Sequence, residues 1–336
     1  MKERISNLRM SFEQEGLIKR GDKKMTDRLK KMPVPVLPTF VGALTLSNVY
    51  GGMGYTWFRH LMMAIATIVI VCYIVKIVLY PGVCASEYKL TVPSSLYAGF
   101  TMCLMILGSF YYEKGLGFGK VIWLCAVIIH AVHICIFTYN NVIKKRDWGT
   151  TVPSWFVTYN GIMVSCVTGG AMNMKPMLQA ITIYGIIIYL ILIPIMIYRL
   201  IKVPVKPAVY HTMPVVLAPC SLCVVSLLNT FDPAPKPLLI FLYFCVLASL
   251  LFIIVKLPDF FSFDFVPGFA GLTFPMAIGI VATNKMAGYL AAGGMEGAGA
   301  ACTQLSGFQI FLTSMLVGYV LLNFLRMFLR TPKRSM

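Results

Sequence analysis

Five times along the chain a proline opens a moderately polar apolar stretch, and a greasier stretch follows it. The prolines are Pro33 (KKMPVPVLPTF), Pro93 (LTVPSSLYAGF), Pro153 (TTVPSWFVTYN), Pro214 (HTMPVVLAPCS) and Pro267 (FDFVPGFAGLTF), spaced by 60, 60, 61 and 53 residues. A fixed period of this length marks a tandem architecture built from one supersecondary unit. Two apolar stretches per unit make that unit a helical hairpin. Five tandem hairpins are expected, with one proline-led helix of each turned toward a common axis.

The solvent for these hairpins is a bilayer. A chain of 336 residues that is 58% hydrophobic and 12% charged, with a mean hydropathy of +0.79, lies outside the soluble globular range. Ten runs are long enough to cross about 30 Å of hydrocarbon. They fall near 34–53, 58–80, 93–112, 119–143, 153–172, 177–201, 214–230, 237–256, 267–285 and 304–328, joined by short connections apart from the Gly- and Ala-rich stretch Ala287 to Ala301. The expected class is an all-α integral membrane protein of ten transmembrane helices. Its parts are a basic N-terminal segment (1–31), a transmembrane domain (32–329) and a short C-terminal tail (330–336).

Segment 1–31 is too polar for a signal peptide. Ile5, Leu8 and Phe12 recur at helical spacing among Arg and Lys, which fits a helix lying on the membrane surface as well as a disordered tail. With ten spans both termini share a side, and 23 of the 29 Lys and Arg fall on it. By the positive-inside rule that side is cytoplasmic, in a cell (inner or plasma) membrane. The net charge of +17 then serves insertion and contact with anionic lipid headgroups. A nucleic-acid face is not expected, because the charge is spread over the loops of a membrane protein.

Even-numbered spans such as ITIYGIIIYLILIPIMIY and PLLIFLYFCVLASLLFII are almost wholly aliphatic and aromatic and suit a lipid-facing wall. Odd-numbered spans carry Thr45, Ser47 and Asn48, Thr158, Asn160 and Ser165, or Thr273, Thr283 and Asn284. Small and polar groups within a membrane belong at helix contacts or beside water. Polarity alone therefore admits two arrangements: a pore surrounded by five inner helices, or ordinary small-residue packing. Pro38, Pro219 and Pro275 lie within odd spans, where each removes a backbone donor and is expected to bend the helix.

Seven residues beyond each leading proline stand Phe40, Phe100, Asn160, Ser221 and Phe274. Read as one layer around an axis, the three phenylalanines form a hydrophobic constriction that stops ions by dewetting or steric block. Phe274, immediately before Pro275, is the foremost gate candidate. Packing is the competing role for all three rings.

The ionisable groups bear on what passes. All twelve carboxylates sit in the N-terminal segment, in loops or at span ends, whereas cation pathways and proton relays normally need one inside the membrane. No Lys or Arg lies deep in an inner helix, so an anion is bound weakly, as fast conduction requires. The N-terminal dipoles of the inner helices are expected to favour anions at a cytoplasmic vestibule. The ten cysteines show no disulfide framework, and Cys220 and Cys223 form a CxxC inside a span, where packing is the expected use. His130 and His133, at i and i+3, are read as helix contacts, and no metal site or cofactor is expected. Gly115, Gly117 and Gly119 follow no strand and imply no nucleotide site. There is no catalytic constellation, so an enzyme is not expected.

The Pro-led repeats, the inner and outer alternation and above all FVPGFAGLTFPMAIGIVAT resemble the tellurite-resistance/dicarboxylate transporter (TDT) family. That family includes bacterial tellurite-resistance proteins and plant guard-cell slow anion channels. The resemblance runs from Met32 to Leu329 and implies five hairpins around a central pore, usually in homotrimers, with a phenylalanine of the ninth helix blocking the pore. Phe274, in TFPMA, matches that residue. Relatives pass small inorganic anions such as chloride and nitrate, while others move malate or sulfite.

Two function classes follow. One is a gated channel for small monovalent anions, opened by an unresolved stimulus for which bilayer tension acting on bent inner helices is one option. The alternative is a secondary carrier that exports sulfite or tellurite or moves C4-dicarboxylates.

Overall fold

The computed structural model describes residues 27–145 and 148–329. The expectation for Ile5, Leu8 and Phe12, and that for the tail 330–336, lie outside the described residues. Among those described there is no strand.

The first proline pair leads into α1 (Val36–Gly52), followed by α2 (Thr56–Leu79) and a short α3 (Pro81–Tyr88). Next come α4 (Thr91–Leu96) and α5 (Ala98–Glu113), which together form one span, then α6 (Phe118–Thr138) with a π-turn extension to Lys145. The third inner segment is broken into α7 (Trp155–Tyr159), a 3₁₀ turn Gly161–Met163 and α8 (Val164–Thr168). Then follow α9 (Lys175–Lys202), α10 (Leu217–Thr230), α11 (Lys236–Phe261), α12 (Thr273–Ala292) and α13 (Glu296–Leu329).

Seven of the described helices are long and apolar enough to cross a membrane. The chain is a multi-pass membrane protein. The other three expected spans fall short for physical reasons: α1 has only 17 residues, the third inner segment is broken at Asn160–Gly161, and α12 carries Asn284 and Lys285. The Gly- and Ala-rich stretch expected to be a long connection is helical instead. It extends α12 to Ala292 and begins α13 at Glu296, because alanine is the strongest helix former and its run outweighs the scattered glycines.

Burial separates two kinds of helix. The most apolar windows of α2, α6, α9, α11 and α13 are only 28–33% buried, against 94% for Pro207–Thr230. Side chains such as Ile68, Val78, Phe244 and Leu251 are exposed on the outer helices, a surface that hydrocarbon covers and water would not. Inside, α12 packs on α1, α1 on α5, α5 on α8, α8 on α10 and α10 back on α12, a closed cycle of contacts.

Close approach within this cycle depends on glycine. A Cβ on Gly42 of α1 would lie 2.6 Å from the Phe274 nitrogen and 2.7 Å from the Thr273 carbonyl carbon. Both are backbone atoms that cannot swing aside. Gly42→Ala should therefore destabilise the protein by about 1–3 kcal/mol through overpacking, while Gly52→Ala, with open space around it, should stay within about 0.5 kcal/mol. Thermal unfolding of the two variants in detergent checks the contrast.

The prolines do not interrupt continuous α-helices as expected. Pro38, Pro219 and Pro275 each occupy the third position of their helix, within the first turn, where the N–H has no intrahelical partner to lose. For Pro219 and Pro275 the turns before them are 3₁₀, over Pro207–Val216 and Pro267–Leu272.

One basic residue counted as facing the cytoplasm is an interior group. Lys76 is fully buried, with its Nζ 2.8 and 2.9 Å from the two carboxylate oxygens of Glu87 and 2.8 Å from the Met32 carbonyl oxygen. Tyr97 donates to the same carboxylate at 2.6 Å. The cluster ties α2, α3, the chain before α1 and the α4–α5 junction together. The helix-contact reading of His130 and His133 matches their partners. His130 lies between the Thr101 hydroxyl and the Thr158 carbonyl at 2.7 and 2.8 Å, so its Nε2 carries the proton because a carbonyl only accepts. His133 joins the Tyr88 and Thr158 hydroxyls.

Candidate functional site

A cavity of about 750 Å³ opens among the C-terminal halves of α1 and α5, the first two-thirds of α12 and the stretch around α8. Along α12 it runs from Phe274 to Lys285, a rise of about 16 Å for an α-helix. Its inner part is apolar, formed by Ile106, Val164, Ile278 and Phe274; its mouth carries Asn48, Arg59, Glu113, Asn284 and Lys285.

Phe274 is 5% exposed and sits in the first turn of α12, immediately before Pro275, with its backbone against Gly42. The other four members of the expected layer do not line this cavity. Phe40 is buried, and Phe100 lies half-buried beside Tyr73, ring centroids 6.5 Å apart. Asn160 donates its amide to the Gly185 carbonyl of outer helix α9 at 2.9 Å, and the Ser221 hydroxyl donates to the Leu217 carbonyl at 2.7 Å. Of the leading prolines, Pro93 lies in α4, Pro214 and Pro267 lie in 3₁₀ turns, and Pro33 and Pro153 precede their helices. None lines the cavity.

The register explains why one member separates from the rest. A Cβ on Gly99 would meet the Pro38 nitrogen at 2.8 Å, which sets Phe100 of α5 near Pro38 and Thr39 of α1. Phe274 is level with Gly42 instead. Its preceding six residues are 3₁₀, which rise about 2.0 Å per residue against about 1.5 Å in an α-helix. The excess is about 3 Å, or two residues of α-helix, and it carries Phe274 past the level of Phe40.

The hydroxyls on the cavity wall are occupied as donors. Thr45 donates to the Val41 carbonyl at 2.8 Å, Ser109 to Thr168 at 2.9 Å and Thr168 to Val164 at 2.9 Å. They present lone pairs to the cavity and hold no anion. Positive potential comes from the mouth. Arg59, in the first turn of α2, donates from Nε to Asn48 Oδ1 at 2.7 Å and from Nη2 to Glu113 Oε2 at 2.7 Å, which leaves the Asn48 NH₂ as a donor. Arg59 and Lys285 against Glu113 leave a formal charge of +1 on the lining.

That charge stands where α1 and α5 end, and helix C-termini there present partial negative charge. The cations offset a field that would otherwise repel anions. The favourable potential was expected at the opposite, N-terminal end of the inner helices, from helix dipoles helped by the basic loops. Arg59 belongs to outer helix α2, which turns back beside α1 so that its first turn reaches Asn48. Asn48 and Asn284, at corresponding ends of odd spans, were the signal that the mouth is polar.

Over residues 35–328 the sequence matches the family of voltage-dependent anion channels, SLAC1. The chain belongs to that family. Its members carry anions across membranes as channels or transporters, and an apolar cavity with a net positive mouth fits an anionic substrate. No curated protein matches the chain significantly in sequence.

Proposed function

We propose that the protein is a gated channel for small monovalent anions such as chloride and nitrate, with Phe274 occluding the conduction path. The ten helical stretches act as five hairpins around that path, in a homotrimer, with both termini in the cytoplasm of a cell that carries the protein in its plasma or inner membrane. The supporting observation is the cavity itself, lined by Arg59 and Lys285 against Glu113 and by the buried apolar side chains of Ile106, Val164, Ile278 and Phe274. An apolar neck sheds water and bars ions until it widens. Wall hydroxyls that cannot donate keep anion binding shallow, which suits conduction better than the tight binding of a carrier.

Planar-bilayer recording of the purified protein in asymmetric chloride tests this reading. A reversal potential near that of chloride supports a channel. Saturable sulfite or malate uptake into vesicles without current would replace it with the carrier.

The mouth charges give a graded prediction. Arg59→Gln should lower open-channel chloride conductance about threefold at low ionic strength, the effect of one unit charge several Å away in a water-rich site, and the loss should shrink toward molar salt. Glu113→Gln should raise conductance by a similar factor. Equal conductances at low salt in both variants would remove the mouth from the path.

A further inference from the structure

A second cavity, of about 630 Å³, lies away from the conduction path at the C-terminal end of α9, against Gly149 and Thr151. Its wall is largely apolar, made by Pro194, Ile195, Tyr198 and Val203, and Arg199 lines it. From these residues we infer a binding site for the phosphate group of an anionic phospholipid.

Arg199 is 8% exposed. Its Nη1 donates to the Val203 carbonyl at 2.9 Å and its Nη2 reaches the Gly149 carbonyl at 3.5 Å. Nε is shielded from solvent and has no hydrogen-bond partner, and no described carboxylate pairs with this guanidinium. A buried guanidinium with no described carboxylate beside it and with one unpartnered N–H draws an anionic group. Arg199 lines the cavity, and a planar guanidinium presents N–H groups that take the oxygens of a phosphate or carboxylate.

The surroundings select the rest of the ligand. The most apolar part of α9 is only 28% buried, so this helix faces lipid. Arg199 is three residues from its end, between the exposed Tyr198 and the exposed Lys202, the aromatic and basic pattern of the headgroup layer. An apolar wall beneath a phosphate-sized donor set accommodates the start of an acyl chain, which a free ion does not use. Pro194 breaks the α9 hydrogen-bond ladder beside the cavity.

The test is native mass spectrometry of the full-length protein exchanged into phosphatidylglycerol or phosphatidylcholine, with retained lipid read against concentration. Wild type should hold phosphatidylglycerol about tenfold more tightly than Arg199→Gln does, and should prefer it to phosphatidylcholine. Ile195→Trp, which fills the apolar wall and leaves the guanidinium in place, should lose the lipid to a similar degree and serves if Arg199→Gln does not fold. Millimolar inorganic phosphate that fails to displace the lipid assigns the site to a headgroup. Displacement that depends on Arg199 assigns the same phosphate chemistry to the free ion and overturns the lipid source. Equal retention by wild type and both variants, or no preference between the two lipids, overturns the site.

Discussion

Phe274→Ala is expected to raise chloride current in planar bilayers by about tenfold or more, because the buried ring lines the cavity and its removal should widen and wet a path there. Phe274→Leu should fall between wild type and alanine, since a branched aliphatic group fills part of the same volume. The same change at Phe40 or Phe100 should leave current within about twofold, because neither ring lines the cavity and their loss is one of packing. Reversal potentials in asymmetric chloride must stay on the anion side in every conducting variant. Current in Phe274→Ala no larger than in wild type, from protein that elutes as the native oligomer, would remove Phe274 as the gate.

Glu87→Ala should destabilise the fold by about 3 kcal/mol, the lower end of what is lost when one partner of a buried pair is removed. The lower end applies because the Glu87 side chain is 24% exposed whereas Lys76 is not exposed at all. The substitution strands an ammonium that keeps only the Met32 carbonyl and the face of Tyr73, 5.2 Å from its ring centroid. It also takes the acceptor from Tyr97. Lys76→Met combined with Glu87→Leu should recover most of the loss, since an apolar pair of similar volume needs no counter-charge. Thermal melts of the single and double variants in one detergent decide the matter. A single variant as stable as wild type would mean that water reaches Lys76.

The loss at Glu87 would show in assembly before it showed in conduction. Its cluster joins the chain before α1 to α2, α3 and the α4–α5 junction, away from the residues that line the Phe274 cavity. Arg59→Gln, by contrast, acts at the mouth and spares these contacts.

The sequence by itself determined the class of the protein. The proline period and the apolar composition require helical units in a bilayer, because a chain in hydrocarbon must satisfy its backbone hydrogen bonds within each segment. The greasy even-numbered stretches became the poorly buried outer helices, and polar odd stretches became the buried ones. Phe274, singled out by the TFP motif and the proline that follows it, lines the cavity.

Tertiary structure decided the rest. Asn160–Gly161 was a turn signal inside an apolar run, and only the bond to the Gly185 carbonyl on α9 shows how the break is held there. The five-residue layer assumed one rise per residue in every repeat, whereas Phe274 stands beside Gly42 rather than Phe40 and follows the 3₁₀ turn Pro267–Leu272. Long charged side chains hid the most. Lys76, Arg59 and Arg199 read alike in sequence, yet one is an interior ion pair, one lines the Phe274 cavity and one is buried with no carboxylate partner among the described residues. Hydrophobic periodicity is a local property of the chain. The partner of a charge, and the register of one helix against the next, are set by residues far away in sequence that only the folded molecule brings within a few Å.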